Sequence, residues 1–421
     1  MAFQMTTKKN LSKNSKDIIF QIAGMANDAI EKVGKENVVN GTFGAILDEE
    51  GKLVFLKTVK EEYLSLPDQD HAGYAPIEGL HDFLEAAISE CFGQSRPEGY
   101  IRALSTSGGT GGVHHLVHNY TRPGDTVLTA DWFWAAYRTI SEDADRVLDT
   151  YTLFNPDNSF NFESLKEKVL SLVDKQENVL VIFNTPGNNP TGYSISEADW
   201  DRILDLFKSI VDQGKNKIII GVDVAYLDYS GEKEATRRFF KKFGNLPERI
   251  LTVVCYSTSK GFTLYGQRVG AMIGITSNEE VAEEFFNENK MTSRGTWSNN
   301  TRPAMKAVAN IVSDPAKLAA YEKERNEYCQ LIEDRASIFM EESKECGLPV
   351  LPYSGGFFIT IPTDKAKAVC DELFKENIYV IPLAKGVRVA VCGIPKRQVK
   401  GLATTMDKAM KTVGALYIAS K

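Results

Sequence analysis

Short apolar runs alternate with stretches of helical spacing from about residue 74 onward. The runs are YIRALST (100–106), DTVLTAD (125–131), NVLVIFN (178–184), KIIIGVD (217–223), ILTVVCYS (250–257) and VGAMIGIT (269–276). Continuous apolar runs of this length are typical of strands that are covered on both faces. Their alternation with helices predicts a mostly parallel sheet joined by crossover helices.

Different patterns flank this central region. Residues 15–34 carry apolar positions at helical spacing, and two short runs, 42–47 and 52–59, flank the stretch DEEG and predict a hairpin. Beyond residue 313 a long charged helix (315–345) precedes GGFFITI, IYVIPL and GVRVAVCGI. We therefore expect an α/β fold with a large domain (61–312), a smaller α+β domain (313–421), and an N-terminal segment (1–60) that forms an arm and joins the smaller domain.

Composition narrows the class of protein. The chain has 421 residues, 43% of them hydrophobic, and its net charge of −7 gives no signature of nucleic-acid binding. No run is long and apolar enough to predict a membrane span. The six cysteines are dispersed and none forms a C-x-x-C pair, which favours reduced thiols and predicts the cytoplasm as the compartment.

Polar residues and glycines gather at the ends of the predicted strands. SGGTGG follows the first run, WFW the second and TPGNNPTG the third; Asp223 ends the fourth, Tyr226 follows it, and STSK follows the fifth. Ligands of open parallel sheets bind outside the carboxyl ends of the strands. We therefore expect these residues to share one rim of the sheet.

The glycine stretch has two interpretations, a tight turn or a phosphate loop. Gly108, Gly109 and Thr110 at a helix start would offer backbone N–H groups to an anion. The dinucleotide pattern fails because His114 occupies its last glycine position, and no Gly-Lys is followed by the Ser or Thr of a P-loop. A small phosphate ester is therefore a better ligand than a dinucleotide or ATP.

Each remaining rim residue has a structural and a chemical interpretation. Asp223 is either a helix cap or ion-pair partner, or the counter-ion of a protonated heterocyclic nitrogen. Tyr226 either packs in the core or donates a hydrogen bond to a phenolate. Taken alone, NNPTG predicts a turn, and Trp132 would be interpreted as an aromatic residue of the core. His114 and His118 lie four residues apart on a predicted helix but lack a distant third ligand, so we expect no metal site.

Lys260 decides between these interpretations. It lies in YSTSKGFTLYGQRVG (256–270), directly after a predicted buried strand, and Arg268 follows it. An amine forms a Schiff base only when it is neutral, and both desolvation and a nearby cation lower its pKa. Arg268 is either a surface ion-pair partner or a phosphate ligand. A phosphate cradle, a Schiff-base lysine and a carboxylate for a ring nitrogen are the parts that pyridoxal phosphate requires.

Together these stretches resemble the class I aminotransferases of pyridoxal-phosphate fold type I, related to aspartate and aromatic aminotransferases, over residues 39–393. The resemblance implies pyridoxal 5′-phosphate as the cofactor and a seven-stranded sheet in the large domain. It implies these cofactor contacts: Lys260 as the Schiff-base lysine, Asp223 at the ring nitrogen, Tyr226 and Asn189 at the ring hydroxyl, Trp132 stacked on the ring, and Gly108, Gly109, Thr110, Ser257 and Arg268 at the phosphate.

Further matches concern the partner subunit and the substrate. YAPIEGL resembles a segment whose tyrosine, here Tyr74, reaches the phosphate of the neighbouring subunit, which implies a homodimer with shared active sites. VRVAVCG places Arg388 at the substrate α-carboxylate, with Asn189 and Trp132 beside the substrate. SRGTWSNN places Arg294 where dicarboxylate-specific members bind the distal carboxylate, although the residues that flank Arg294 match only in part. The extra tryptophans of WFWAAY would instead suit a substrate with an aromatic side chain.

The resemblance predicts an aminotransferase that moves an amino group from an amino acid, aspartate or an aromatic one, to a 2-oxo acid such as 2-oxoglutarate. Lys260 would act as general base and acid, with Asp223 and Tyr226 completing the catalytic set. A decarboxylase or lyase of the same fold is an alternative, because bond geometry at the ring decides between these reactions. A serine acyl-transfer enzyme is a more distant one: residues 257–260 are formally S-x-x-K, but the supporting K-T-G and S-D-N are absent.

Overall fold

The strands of the protein coincide with the apolar runs. The computed structural model describes residues 18–214 and 216–417, together with Met5. The strands within those residues are β1 (Val39–Asn40), β2 (Tyr100–Thr106), β3 (Thr126–Ala130), β4 (Val147–Tyr151), β5 (Asn178–Asn184), β6 (Lys217–Asp223), β7 (Ile250–Ser257), β8 (Gly270–Thr276), β9 (Phe358–Pro362), β10 (Ile378–Tyr379), β11 (Ile381–Leu383) and β12 (Gly386–Ala390). The six predicted runs correspond to β2, β3, β5, β6, β7 and β8, each within one residue of its predicted bounds.

Over the described residues, the centre of the fold is one seven-stranded sheet. Its order is β2-β8-β7-β6-β5-β3-β4. Strand β8 runs antiparallel to both of its neighbours, and the other pairs are parallel. Every residue of β7 and β8 is buried, in keeping with a sheet that helices cover on both faces. The predicted α/β fold with a mostly parallel sheet is confirmed.

The seventh strand, β4, was missed because its pattern is less apolar than the others. It lies at one edge of the sheet, where it pairs with β3. Val147 is exposed, and Asp149 and Thr150 in the strand centre are half-buried. An edge strand is covered less completely than a central one, so its sequence carries a weaker apolar signal.

The predicted hairpin near the N-terminus is wrong in its second half. An antiparallel bridge closes the turn, but the second run continues into a helix, Lys57–Ser65. The Glu324 carboxylate accepts hydrogen bonds from the N–H groups of Lys57 and Thr58 at 2.5 and 3.0 Å. Because a residue distant along the chain caps this helix, its start carries no local signal in the sequence.

The helices pack against the sheet and around a smaller unit. They are α1 (Ile18–Val33), α2 (Lys57–Ser65), α3 (Asp68–Ala72), α4 (His81–Phe92), α5 (Gly108–Tyr120), α6 (Ala136–Asp143), α7 (Phe162–Val173), α8 (Glu197–Gln213), α9 (Thr258–Gly261), α10 (Glu279–Thr296), α11 (Arg302–Ser313), α12 (Pro315–Cys346), α13 (Ala366–Lys375), α14 (Lys396–Val399) and α15 (Leu402–Thr412). The predicted helices 15–34 and 315–345 correspond to α1 and α12, with residues 15–17 outside the described part of the chain. None of these described helices has both the length and the apolar composition that crossing a membrane requires.

A second, smaller core lies beside the C-terminal half of α12. Strands β11, β12 and β9 form an antiparallel sheet, and β1 pairs in parallel with β10. Phe339 of α12 belongs to this core, whereas Ile332, about two turns earlier, belongs to the core of the large sheet. Helix α12 therefore joins the two cores, and the predicted domain boundaries stay a prediction.

Candidate active site

A cavity of about 210 Å³ lies at the carboxyl edge of the sheet, beside the ends of β5, β6 and β7. Its lining residues are Gly109, Thr110, Trp134, Asn184, Asn189, Asp223, Ala225, Tyr226, Ser257, Ser259, Lys260, Tyr265 and Arg268. Eight of these were predicted as site residues, which agrees with the rule that open parallel sheets bind ligands at this edge. A larger hollow of about 690 Å³ at the opposite edge has a rim of exposed carboxylates and holds none of the predicted residues.

Lys260 stands on a short turn at the end of β7. The strand ends at Ser257, whose hydroxyl accepts a hydrogen bond from the Ser259 N–H at 3.2 Å, and α9 follows at once. The Lys260 amine donates to the Gly44 carbonyl at 2.5 Å and lies 4.8 Å from the centroid of the Tyr265 ring. The turn therefore points the amine into the cavity between the large sheet and the N-terminal segment.

The surroundings of Lys260 favour its neutral form. Its pKa is lowered to about 8, first by burial of the amine and then by the positive charges of Arg268 and Arg388, while Cys392 acts in the opposite direction. An unperturbed lysine has a pKa of about 10.4. A larger share of Lys260 is therefore neutral near pH 7, and the neutral amine is the form that attacks an aldehyde.

Asp223 ends β6 with only 5% of its surface exposed. Its Oδ2 accepts a hydrogen bond from the Tyr137 hydroxyl at 2.6 Å, and its Oδ1 accepts one from the Ala225 N–H at 3.1 Å. Burial raises the pKa of Asp223, and these two hydrogen bonds oppose that rise. A buried carboxylate that faces a cavity suits a cationic partner such as a protonated ring nitrogen.

Asn189 connects the cavity to the smaller core. Its Nδ2 donates to the Tyr226 hydroxyl at 3.4 Å, and its Oδ1 accepts a hydrogen bond from Arg388 at 3.2 Å. Arg388, on β12, is only 4% exposed; it also donates to the Thr42 carbonyl at 2.9 Å and packs 4.4 Å from the centroid of the Phe358 ring. The predicted carboxylate-binding arginine is thus held next to the cavity through Asn189.

The predicted phosphate site combines the start of α5 with Arg268. Gly108 has a φ of 65°, in the left-handed region, and a Cβ at this position would lie 2.7 Å from Arg268 Nη2. Arg268 donates to the hydroxyls of Thr110 and Ser259 at 3.5 and 3.4 Å. Backbone N–H groups at a helix start and a guanidinium group together form an anion site, so these residues fit a phosphate ester.

Trp132 is not among the residues that line the cavity. It is buried in the core of the large sheet, and its carbonyl accepts a hydrogen bond from Asn188 at 3.3 Å. Trp134 lines the cavity instead and packs edge-on against Tyr137, with ring centroids 5.6 Å apart. The stacking role of Trp132 stays a prediction, and Trp134 is the alternative that the geometry offers.

Tyr74 and Arg294 are surface residues. Tyr74 is 88% exposed, and its backbone carbonyl accepts a hydrogen bond from Arg302 at 3.2 Å. Arg294 is exposed on α10 and donates to the Ser298 hydroxyl at 2.6 Å. Neither side chain is part of the cavity lining of its own chain. Their contacts with a partner subunit or a substrate stay predictions.

The prediction from sequence missed part of the cavity lining and one residue directly behind it. The missed residues are Trp134, Asn184, Ala225, Ser259, Tyr265 and Tyr137. The first five lie at strand ends or in the segments that follow them, so a fuller search of those positions would have found them. Tyr137 lies inside α6 and reaches Asp223 across the fold, so no local pattern marks it.

The histidines of α5 form a packed cluster. The His115 ring stacks on Trp297 with centroids 4.4 Å apart, and its Nε2 lies 3.0 Å from the Ser293 hydroxyl. Burial and the neighbouring His114 and His118 lower the pKa of His115 to about 3. The described residues contain no group of three or more potential metal ligands. The cluster therefore packs α5, which carries the glycine loop, against α10.

Residues 36–406 match the family described as aminotransferase class I and II. The chain belongs to this family. The solved aminotransferase of Anaerococcus prevotii DSM 20548 is 38% identical, with a TM-score of 0.95 over 96% of this chain and 99% of its own. The aspartate aminotransferase of Salmonella typhi is 26% identical over 80% of this chain and 84% of its own length. The aromatic-amino-acid aminotransferase of Escherichia coli K12 is 25% identical over 89% of this chain and 94% of its own length.

Pyridoxal phosphate is the cofactor of this aminotransferase, as it is for its family. The donor set around the cavity fits that molecule: an anion site at the start of α5, the Asp223 carboxylate, and the Lys260 amine with its lowered pKa. The Ser257 hydroxyl, which a serine acyl-transfer mechanism would use, instead accepts a hydrogen bond at the start of α9.

Replacement of Gly261 tests how tightly Asp228 packs against the lysine turn, the short segment Thr258–Gly261 that carries Lys260. An added Cβ would lie 2.2 Å from the Asp228 carboxylate, which Arg237 holds with a hydrogen bond of 2.5 Å. We expect Gly261→Ala to lower the free energy of unfolding by about 1–3 kcal/mol, because the crowded carboxylate cannot move freely, and to weaken cofactor retention.

Urea unfolding and the visible absorbance of the purified protein measure both effects. Gly266→Ala is the matched control, since nothing lies within 4 Å of a Cβ there, and we expect it to change stability by less than about 0.5 kcal/mol. If Gly261→Ala and Gly266→Ala have the same free energy of unfolding and the same cofactor absorbance, the tight packing of Asp228 against Gly261 is contradicted.

The lowered pKa of Lys260 predicts how cofactor attachment depends on pH. The folded-state pKa of about 8 lies below that of an ordinary lysine, so the neutral amine grows as the pH rises through 8. We expect the rate at which cofactor-free protein attaches pyridoxal phosphate to rise with a midpoint near that value. Borohydride trapping at a series of pH values, followed by peptide mapping, measures the rate. N-acetyl-lysine methyl amide is the reference, and a protein midpoint near its pKa of about 10.4 would refute the assignment.

Proposed function

We propose that the chain is an aspartate or aromatic aminotransferase, which moves an amino group from an amino acid to a 2-oxo acid such as 2-oxoglutarate. One observation carries this proposal: the Lys260 amine and the Asp223 carboxylate line the same cavity as the anion site of Thr110 and Arg268. That arrangement would hold one phosphorylated heterocycle at three points, its phosphate, its ring nitrogen and its aldehyde.

The cofactor supplies an aldehyde for the substrate amine and a ring that accepts electrons. Lys260 Nζ then has two tasks. It would hold the cofactor in the resting enzyme. Once released, it would take a proton from the substrate α-carbon as general base and deliver that proton to the cofactor carbon as general acid. Its lowered pKa suits both tasks near neutral pH. Asp223 keeps the ring nitrogen protonated, and Asn189 and Tyr226 provide hydrogen bonds to the ring hydroxyl.

Arg388 is the proposed ligand of the substrate α-carboxylate. Its guanidinium group can form two parallel hydrogen bonds with a carboxylate, and burial strengthens such a pair. It lies next to the cavity on β12, in the smaller core, whereas Lys260 and Asp223 come from the large sheet. A substrate bound at Arg388 would therefore bridge the two cores, which favours closure of the smaller core over the site.

The choice of substrate side chain involves two groups of residues. Arg294 would bind a distal carboxylate, and the name of the Salmonella typhi relative supports aspartate as a substrate. Trp134 and Tyr265 give the cavity an aromatic lining, and the name of the Escherichia coli relative supports aromatic amino acids. Because Arg294 lies on the surface of its own chain, a role in substrate binding would require a second subunit or a movement of α10.

We also propose that the enzyme is a homodimer with shared active sites, in which Tyr74 contacts the cofactor phosphate of the partner. The support is its placement: the backbone is fixed by Arg302, while the phenol extends away from its own chain. The cytoplasm is the proposed compartment, and all six cysteines are free thiols, as expected in a reducing environment.

A substrate panel tests the proposed reaction. We expect turnover of aspartate, phenylalanine or tyrosine to require 2-oxoglutarate, and Lys260→Ala to abolish it. Glutamate is tested with a different 2-oxo acid, because its reaction with 2-oxoglutarate only regenerates the reactants. Turnover without an amino acceptor would instead indicate a decarboxylase or lyase.

Arg294→Ala tests the choice of substrate side chain. If Arg294 binds a distal carboxylate, this change lowers kcat/KM for the dicarboxylates by about 10–100-fold, because a hydrogen bond between charged groups is lost, and it leaves kcat/KM for the aromatic substrates unchanged. Arg238→Ala, another exposed arginine, is the matched control.

Mixed dimers test the role of Tyr74. We expect Tyr74→Phe to weaken cofactor binding by about tenfold, the cost of one hydrogen bond to a charged group, and Tyr417→Phe, another exposed tyrosine, to leave it unchanged. Differently tagged Lys260→Ala and Tyr74→Phe chains are then combined. If Tyr74 serves the partner, the mixed dimer regains one intact site with wild-type cofactor affinity. If the mixed dimer binds cofactor no better than Tyr74→Phe alone, the shared site is excluded.

A further inference from the structure

The hydroxyl of Tyr137, which is not a residue of the cavity lining, donates a hydrogen bond to the carboxylate of Asp223. The two groups are 2.6 Å apart, Tyr137 has no exposed surface, and the residue belongs to α6 rather than to a strand end. Asp223 lines the cavity, whereas Tyr137 does not. The phenol therefore acts on Asp223 without reaching the cavity itself.

Among the described residues, the hydrogen bonds that the Asp223 carboxylate accepts come from neutral groups. They are the Tyr137 hydroxyl and the Ala225 N–H, and the other titratable groups that face the pair are the Tyr226 phenol and the Cys255 thiol. Burial raises the pKa of Asp223, which favours a neutral carboxylic acid, and the hydrogen bond from Tyr137 opposes that rise. Burial also keeps the Tyr137 phenol protonated, because its pKa is raised well above the ordinary value.

We propose that Tyr137 is a positioning residue that keeps Asp223 ionised and oriented toward the ring nitrogen of the cofactor. A donor on Oδ2 fixes the plane of the carboxylate and stabilises its negative charge, since a hydrogen bond to a charged group is stronger than one between neutral groups. The inference rests on the role proposed for Asp223. It adds a residue, the last of the stretch WFWAAY, to which the sequence alone gave no role.

The packing around Tyr137 makes the hydroxyl separable from the ring. The ring packs edge-on against Trp134, which lines the cavity, and belongs to a buried cluster that includes Val113 and Leu116 of α5. Phenylalanine would keep those apolar contacts and remove only the donor. Tyr137→Phe therefore tests the hydrogen bond with little change in packing.

The experiment measures cofactor affinity and its pH dependence rather than turnover. We expect Tyr137→Phe to raise the dissociation constant for pyridoxal phosphate by about tenfold at pH 7. Without the phenol, the pKa of Asp223 rises further, so its charge is lost at a higher pH. The difference from the wild type should therefore widen as the pH falls from 9 to 6 and shrink as the pH rises.

Two comparisons separate this role from a structural one. Tyr229→Phe is the matched control, because that phenol is also buried and its oxygen has no hydrogen-bond partner among the described residues; we expect wild-type affinity at every pH. In an Asp223→Asn background, Tyr137→Phe should have no further effect on affinity.

If Tyr137→Phe does not fold, difluorotyrosine at position 137 replaces it in the experiment. It is a stronger hydrogen-bond donor of the same shape, so it should shift the pH profile of cofactor affinity to lower pH.

Three outcomes would overturn the inference. They are a wild-type pH profile for Tyr137→Phe, an unchanged profile with difluorotyrosine, or the same loss of affinity with and without the Asp223 carboxylate. Each can occur while borohydride still attaches the cofactor to Lys260, in which case the proposed aminotransferase reaction stands and the Tyr137 role fails. If the wild-type protein does not bind pyridoxal phosphate at all, the proposed function fails with it.

Discussion

The enclosure of one amine at the end of a buried strand governs the arrangement of this active site. Removal of the Lys260 amine from water favours its neutral form, and the guanidinium groups of the buried Arg388 and the exposed Arg268 act in the same direction. Such a site needs cations close enough to repel the ammonium form, yet a carboxylate must be available for the ring of the cofactor. Arg268 and Asp223 meet both needs because they line different parts of the same cavity.

The antiparallel strand β8 makes this arrangement possible. It lies between β2 and β7, and its first residue, Gly270, pairs with Thr106 on one side and Ser257 on the other. The chain that leaves β7 therefore turns back at the cavity and brings Arg268 beside the start of α5. A Cβ on Gly270 would lie 2.4 Å from the Tyr256 carbonyl oxygen, so only glycine allows the three segments to approach this closely.

A buried ionic network supports the lysine turn from the opposite side. The Asp228 carboxylate touches the turn near Gly261 and is paired with Arg237, while Arg325 of α12 lies 3.6 Å away. Buried ion pairs of this kind add little to stability when compared with apolar packing, but breaking one leaves a charge without compensation. The network therefore fixes the position of the turn relative to the long helix that joins the two cores.

The sequence by itself determined the central strands and the residues at their ends, because a strand buried on both faces must be apolar throughout and its polar continuation then stands out. It also indicated the family through the lysine stretch YSTSKGFTLYGQRVG, which places Lys260 and Arg268 after a buried strand. The tertiary structure alone decided that Trp134 rather than Trp132 lines the cavity, that Glu324 caps α2, and that Tyr137 binds Asp223. These contacts join residues that are distant along the chain, and their energies depend on packing and burial that no local pattern encodes.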